Sequence, residues 1–447
     1  MTACAATCPP PRRARRGLRA AARAAQVLVV LATVTLGLSA GSLRAESPGS
    51  GPQAAATASS AHATTADETA ARDARLAGDA ERTRLVIDLD RAAPFRAFTL
   101  ANPYRVILDL SGVAFRFTPE PDQMRRGLVS AWRFGTLAPG KARMVLEATG
   151  PVAIDRAFVL EAQDGEPARL VVDLVPTDAA SFERSRASAA ERRLAPPPAP
   201  AAAVPGDARP VIVLDPGHGG IDTGTTGRSA FAEKTIVLET ALALRDKLEK
   251  TGAYRVVMTR TGDVFVPLGE RVKIARANRA ALFVSLHADA LAAGDGQARG
   301  ASVYTASETA SDADAATLAE KENKADIIAG LDLSDESDDV AGILVDLARR
   351  ETRNFSSLFA RSLVGQLKGA VRTHRTPLRS AGFKVLSAHD VPSVLVELGY
   401  MSTPADLKLL TSDAWRDRVT DAIMQAISEF LEPQLAGAPA RTERHVP

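Results

Sequence analysis

Cysteine is nearly absent from this 447-residue chain, and its two examples, Cys4 and Cys8, both fall in the first eight residues. A disulfide framework and a thiolate metal site are therefore excluded from the body of the protein, so any metal must be held by His, Asp or Glu. Long apolar runs are also missing. Val27–Leu38 spans about a dozen residues, short of the roughly 20 needed to cross a bilayer as a helix. Acidic residues are absent from positions 1–45, which carry seven arginines. A basic region (Arg12, Arg13, Arg15, Arg16, Arg19, Arg23), then a short apolar run, then small residues is the layout of a secretory signal. Cleavage is expected after Ser42 or Ala45. Arg15-Arg16 leaves either a general secretory or a twin-arginine route open. Losing those seven arginines turns the formal net charge from +2 to −5.

What remains is globular in composition, with 46% hydrophobic and 24% charged residues, and long enough for two domains. Residues 46–80 are rich in Ala, Ser, Thr and Gly and read as a flexible leader, in which His62 is no ligand. Over 81–176 a degenerate repeat occurs: Arg84-Leu-Val-Ile-Asp-Leu89, Arg105-Val-Ile-Leu-Asp-Leu110, Arg143-Met-Val-Leu-Glu-Ala148 and Arg169-Leu-Val-Val-Asp-Leu174. Each copy is β-branched-rich and bounded by turn residues, so each reads as a strand of a small all-β, sandwich-like domain. The repeated Arg and Asp read as solvated charges at strand ends, with ligand recognition as the alternative. Residues 177–210 are Pro- and Ala-rich and read as a spacer. From 211 to 432 strands and helices alternate, which predicts an α/β domain with a mostly parallel sheet and helices on both faces. Its helices are expected at Lys234–Lys250, Leu268–Ala280, Phe355–Leu367 and Trp415–Leu431. The tail 433–447 reads as disordered.

In this second domain, chemistry-bearing residues stand where apolar runs stop. Val211-Ile-Val-Leu-Asp-Pro-Gly-His218 and Leu282-Phe-Val-Ser-Leu-His287 end in histidine, Val394-Leu-Val-Glu397 ends in glutamate, and Glu233 opens a helical segment. Open α/β folds bind ligands beyond the carboxyl ends of their strands. Two His and one Glu form a known catalytic zinc set that leaves one position for water. His218, Glu233 and His287 fit the ligand roles, and Glu397 fits the acid/base role that amide hydrolysis requires. The glycines around His218 do not form a phosphate loop, because no Gly-Lys-Ser/Thr follows.

Asp215-Pro-Gly-His-Gly-Gly220, Glu233-Lys234, Ser285-Leu-His-Ala-Asp289 and Pro392-Ser-Val-Leu-Val-Glu-Leu-Gly-Tyr-Met-Ser402 resemble the motifs of zinc-dependent N-acetylmuramoyl-L-alanine amidases of the cell-division type. The repeat domain is similar to the AMIN domain. The resemblance implies hydrolysis of the amide between N-acetylmuramic acid and L-alanine in peptidoglycan, with His218, Glu233 and His287 on zinc and Glu397 catalytic. It also implies peptidoglycan targeting by the β-domain, a role in daughter-cell separation, and location in the periplasm of a Gram-negative envelope. A monomer is expected, with no nucleic-acid partner and no membrane span once the signal is gone. Two other classes remain: a catalytically inactive peptidoglycan-binding scaffold, or another cell-wall metal hydrolase such as a peptidase or deacetylase.

Residues 306–351 interrupt the alternation with 13 acidic and 4 basic residues. Within them Val340, Ile343, Leu344 and Leu347 share one helical face. The cell-division amidases carry a similar insertion with a helix that plugs the metal, which implies autoinhibition here. Glu320 is the expected plug, Glu322 lying roughly on the opposite helical face. The apolar stripe is then the docking site of a protein activator.

Overall fold

The computed structural model describes residues 68–163, 165–190, 207, 209–226, 231–289, 300–331, 343–401 and 404–436. The expected signal (1–45), most of the leader, Val340 and the tail from 437 lie outside the described residues.

Strands β1 (Thr69–Gly78), β2 (Thr83–Leu89), β3 (Phe95–Leu100), β4 (Arg105–Ser111), β5 (Val113–Phe115), β6 (Val129–Ala138), β7 (Lys141–Ala148), β8 (Val152–Leu160) and β9 (Ala168–Pro176) build the β-domain. They form two sheets, ordered β5-β1-β2-β9-β8 and β3-β4-β7-β6. Period-two alternation explains the sandwich. Leu85, Ile87, Leu89, Val106, Leu108, Met144, Leu146, Leu170 and Val172 all point into one core, while the intervening residues of each repeat face outward. The first strand covers Thr69–Gly78, where a flexible leader was expected; pairing with β2 and β5 supplies what its composition does not.

The repeated charges are not merely solvated. Antiparallel register sets Arg84 opposite Asp173 and Arg169 opposite Asp88 in one sheet, and Arg143 opposite Asp109 and Arg105 opposite Glu147 in the other. Arg84 Nε reaches Asp173 at 2.6 Å and Arg143 Nε reaches Asp109 at 2.6 Å. Helix α1 (Ala179–Ala190) follows, where a spacer was expected. Asp178 accepts from Ser181 N at 2.9 Å and starts that helix, and Phe182 packs edge-on against Tyr104.

The second domain contains β10 (Val211–Pro216), α2 (Glu233–Lys250), β11 (Arg255–Met258), α3 (Leu268–Ala277), β12 (Leu282–His287), β13 (Ala301–Ala306), α4 (Ala313–Glu322), α5 (Ala325–Ile328), α6 (Ile343–Ala370), β14 (Thr373–Ala381), β15 (Ser393–Glu397), α7 (Pro404–Leu410) and α8 (Asp413–Ala436). Its sheet runs β11-β10-β12-β15-β13-β14, parallel throughout except where β13 meets β15. Helices α2, α6 and α8 bury their apolar stripes on one face; α3 and α4 cover the other. Two expectations change. The separate helices expected near 340–347 and from 355 are one helix, α6, because Ala-Arg-Arg-Glu-Thr-Arg-Asn at 348–354 contains no Gly or Pro to interrupt it. Strand β14 was not foreseen; it holds Pro377, which an edge strand tolerates. Among the described residues no helix is long and apolar enough to cross a membrane.

Parallel neighbours β10, β12 and β15 end at the same edge, with Pro216 opposite Leu286 and His287 opposite Glu397. Beneath that edge lies fully buried Asp215, which accepts from Arg271 Nη1 (2.7 Å), Thr259 Oγ1 (2.6 Å) and Ser285 Oγ (2.7 Å). Burial alone would raise its pKa, but Arg271 and the two hydroxyls hold it below the usual carboxylate value. Removing one partner of a buried pair strands the other in low dielectric. Asp215→Ala is expected to lower stability by about 3–5 kcal/mol in denaturant unfolding, against about 1 kcal/mol for Ser285→Ala.

Candidate metal and catalytic site

His218 follows β10 with φ +58°, a left-handed conformation that histidine adopts more readily than most residues. Two buried arginines fix this turn. Arg260 donates to the carbonyls of Pro216 (2.9 Å), Gly217 (2.8 Å) and Lys234 (2.8 Å). Arg271 donates to those of Pro216 (3.0 Å) and His218 (2.8 Å). Gly217 is required for space: a Cβ there would lie 2.5 Å from the His287 ring. The two imidazoles meet edge to face, centroids 4.9 Å apart.

Glu233, at the start of α2, completes the group. Its Oε1 lies 3.2 Å from His218 Nε2 and 3.4 Å from His287 Nδ1. The carboxylate is aimed by backbone donors, Ala288 N to Oε1 (2.8 Å) and Thr225 N to Oε2 (2.9 Å). Potential ligand atoms of His218, Glu233 and His287 all lie within 4.8 Å of one another. His218 Nδ1 faces Asp222 Oδ2 at 2.9 Å, the arrangement that orients a ligating imidazole through its other nitrogen.

Glu397 ends β15 at the same edge, its Oε2 accepting from Asp289 N at 3.0 Å. Burial, with the carboxylates of Asp289 and Glu233, pushes its pKa well above the usual range against the pull of His287. The structure thus brings together the three residues expected from the strand ends, His218, His287 and Glu397, with Glu233 from the start of α2.

The insertion supplies the difference. Helix α4 enters the pocket with Glu322, whose Oε2 lies 3.3 Å from His218 Nε2 and 3.2 Å from His287 Nδ1. Glu320, the residue expected there, is turned to solvent and pairs with Lys324 at 2.7 Å. Helical phase is the cause. Ala315, Leu318, Ala319 and Glu322 are the buried residues of α4, spaced i, i+3, i+4, i+7 on one stripe. Beside Glu322, Lys321 Nζ binds Asp289 and donates to Thr225 Oγ1 (2.8 Å).

Sequence reasoning also passed over Asp222, Asp289 and Lys321. Asp222, four residues after His218, was detectable as a carboxylate able to orient that imidazole. Nothing local marks Lys321, which acts across the fold.

Four buried polar atoms here, His218 Nε2, His287 Nδ1, Glu322 Oε1 and Glu397 Oε1, have no hydrogen-bond partner. Such atoms call for an explanation, and two His and one Glu with inward nitrogens and oxygens suit a cation of borderline softness. Burial would lower the pKa of both imidazoles. The carboxylates of Asp222, Glu233 and Glu322 instead push His218 well up, and Glu322 with Glu233 hold His287 at about 10.

A family model described as N-acetylmuramoyl-L-alanine amidase matches residues 212–429, and the AMIN domain model matches 73–174. The Escherichia coli O6:H1 N-acetylmuramoyl-L-alanine amidase AmiC is 33% identical over 365 residues, covering 78% of this chain and 86% of that one. This chain belongs to the N-acetylmuramoyl-L-alanine amidase family. The amidase AmiC of Neisseria meningitidis serogroup B is also 33% identical, covering 78% of this chain and 87% of its own. AmiA of Escherichia coli K12 is 38% identical over 221 residues, 49% of this chain and 75% of AmiA. The solved catalytic domain of CwlV from Bacillus (Paenibacillus) polymyxa shares 26% identity, covering 50% of this chain and 98% of that one, with a TM-score of 0.36. The amidase is accordingly a hydrolase of the cell wall, with an AMIN domain ahead of its α/β domain.

In the amidase, α4 is anchored at its start by Asp312, which accepts from Ala315 N (2.9 Å) and binds Arg379. Arg379 holds the Asp312 carboxyl at about 2, against a small burial penalty. A depressed pKa of this kind stabilises above the unfolded value and is lost as pH falls through the folded one. Protection of the α4 amides from hydrogen exchange should therefore be insensitive to this group above about pH 4 and weaken towards about pH 2. Asp312→Ala should reduce that protection by about 1 kcal/mol at neutral pH.

Proposed function

We propose that the amidase is zinc-dependent and held latent by its own insertion, Glu322 standing where water and the substrate carbonyl must enter. One observation carries this reading: a single carboxylate oxygen lies within 3.3 Å of a nitrogen on each of His218 and His287. His218, Glu233 and His287 would hold the zinc, a tetrahedral ion bound in hydrolases by three protein ligands. Bound there, zinc supplies a Lewis acid that polarises the amide carbonyl and acidifies water. Asp222 keeps the His218 ring oriented, and the amides of Ala288 and Thr225 keep Glu233 in place. Glu397 takes the proton of the attacking water and delivers it to the departing alanine nitrogen, its dry pocket favouring the protonated form it passes through. The bond cut joins the lactyl group of N-acetylmuramic acid to L-alanine, and the enzyme works in the periplasm during daughter-cell separation.

Release needs an activator. Of the stripe expected to receive it, Ile343, Leu344 and Leu347 open α6, and Phe355 and Leu358 on the same helix are exposed at 40% and 54%. Apolar residues left in water on one helix suit a protein partner.

The same observation admits a second reading. Four protein ligands around zinc make a closed, structural site, which suits an inactive wall-binding scaffold. Glu322→Ala separates the two. Latency predicts about tenfold or more hydrolysis of purified sacculi without any partner, since removing a charged contact shifts the closed equilibrium by at least that factor. A structural site predicts lost zinc and no turnover. Removing 306–351 is the poorer test, because that span includes the end of β13 and the start of α6. In the Glu322→Ala background, Glu397→Gln should cut the rate by about 10²- to 10⁴-fold while zinc content stays at one per chain. Product masses must show intact stem peptides and a glycan that keeps its N-acetyl groups; cut peptides or free amines would mean a peptidase or deacetylase.

A further inference from the structure

The insertion does not end in solvent. After α5 its chain runs onto the outer face of sheet β3-β4-β7-β6, where Ala329 joins Leu100, Ile107 and Val145 of the β-domain and Ile221 and Phe265 of the α/β domain in one apolar cluster. Gly330 has φ +71°, and a Cβ there would meet Ile107 Cδ1 at 2.5 Å. The left-handed φ favours glycine there, and a side chain would also have to displace Ile107 and Val145.

Two repeat arginines meet the last carbonyls of this segment. Arg105 Nη1 donates to Ile327 O at 2.5 Å; Arg143 Nη1 donates to Ala329 O at 3.0 Å and Gly330 O at 3.1 Å. Ile327 O also accepts from Gly330 N at 3.0 Å, and the second lone pair of a carbonyl is open to a guanidinium donor. The contrast among the repeats is informative. In the other sheet, β5-β1-β2-β9-β8, Arg84 is spent on Asp173, and Arg169 on Glu166 and Asp88; their side chains are 49% and 34% exposed. Arg105 lies opposite Glu147 in the register, Glu147 is also engaged by Arg133, and Arg105, 3% exposed, donates to the carbonyls of Ala101, Pro103 and Ile327. Arg143 keeps Asp109 and adds the insertion, 6% exposed. Arg133 itself lines the pocket that holds His218 and Glu322.

We propose that the β-domain is a latch of the autoinhibited state, Arg105 and Arg143 gripping residues 327–330 so that Glu322 stays in the metal site. This rests on the latency reading above and gives the β-domain a second role beside binding the wall. Helix α4 is held at its start by Asp312 on Arg379 of β14 and at its end by Asn323 on Gly382 O and Lys384 N, and the β-domain adds a further hold just past α5.

The test uses the full chain with zinc bound. Arg105→Leu/Arg143→Leu should raise hydrolysis of sacculi without a partner by about tenfold, the factor expected from one charged hydrogen bond. Hydrogen exchange should rise over 313–331 and stay unchanged in α8. Arg169→Leu, the counterpart in the other sheet, should leave both readouts unchanged and controls for general weakening of the β-domain. If the double variant does not fold, Gly330→Val attacks the same contact from the insertion and should give the same rise. An unchanged rate in these variants while Glu322→Ala is active overturns the latch and leaves latency standing. An inactive Glu322→Ala removes both.

Discussion

Too many buried carboxylates share one pocket, and the rest of the structure answers to that repulsion. Asp222, Glu233, Asp289, Glu322 and Glu397 are each at most 5% exposed, around two imidazoles and one ammonium, Lys321. Coulomb energies grow as the dielectric falls, so such a cluster persists only with compensating positive charge. Lys321 answers for Asp289, and backbone amides answer for Glu233 and one oxygen of Glu397. What is left uncompensated lies between His218 Nε2, His287 Nδ1 and the Glu322 carboxylate. A bound dication would be the largest charge there and would reverse the local titration preferences. The charge balance thus favours positive charge between these groups, carried by protons on the imidazoles or by a cation, before any ligand geometry is considered.

These groups are held by rigid elements. His218 and His287, at the ends of adjacent parallel strands, inherit the sheet's register, and Arg260 and Arg271 tie the turn at His218 to the strand beneath it. Asp215 then links Arg271 to Thr259 and Ser285. Ion pair, turn and ligand form a chain of contacts in which each link is buried. Asp215, three residues before His218, thus helps fix the turn that presents its imidazole.

Most of this was legible in the sequence because it is local. An apolar run that stops at His or Glu gives both the strand and the position of its last side chain, so the sandwich, the α/β sheet and the residues His218, Glu233, His287 and Glu397 could be placed by pattern. Phase along a helix was legible too, yet misread. The stripe Ala315, Leu318, Ala319 points to Glu322 rather than Glu320, but small alanines give a faint apolar signal. Contacts made across the fold left no local trace. Lys321 on Asp289, Arg379 on Asp312 and Arg105 on Ile327 depend on tertiary placement that neither composition nor spacing encodes.

The faintness of that stripe has its own physical sense. Leu318 is the one large apolar side chain that α4 buries, worth about 2–3 kcal/mol. The remaining hold comes largely from polar contacts: Asp312, Lys321 and Glu322, Asn323 with Gly382 O and Lys384 N, Asp326 with Leu268 N, and the two arginines beyond α5. An element fixed by a broad apolar face could be displaced only at a cost near that of unfolding. One fixed by a few charged contacts can be released by a partner that offers comparable bonds elsewhere, since segments that open locally are those with little buried apolar area. Under the latency and latch proposed above, sharing the hold between the α/β domain and the β-domain means that neither alone need be strong, and a partner acting on either one would shift the equilibrium at His218 and His287.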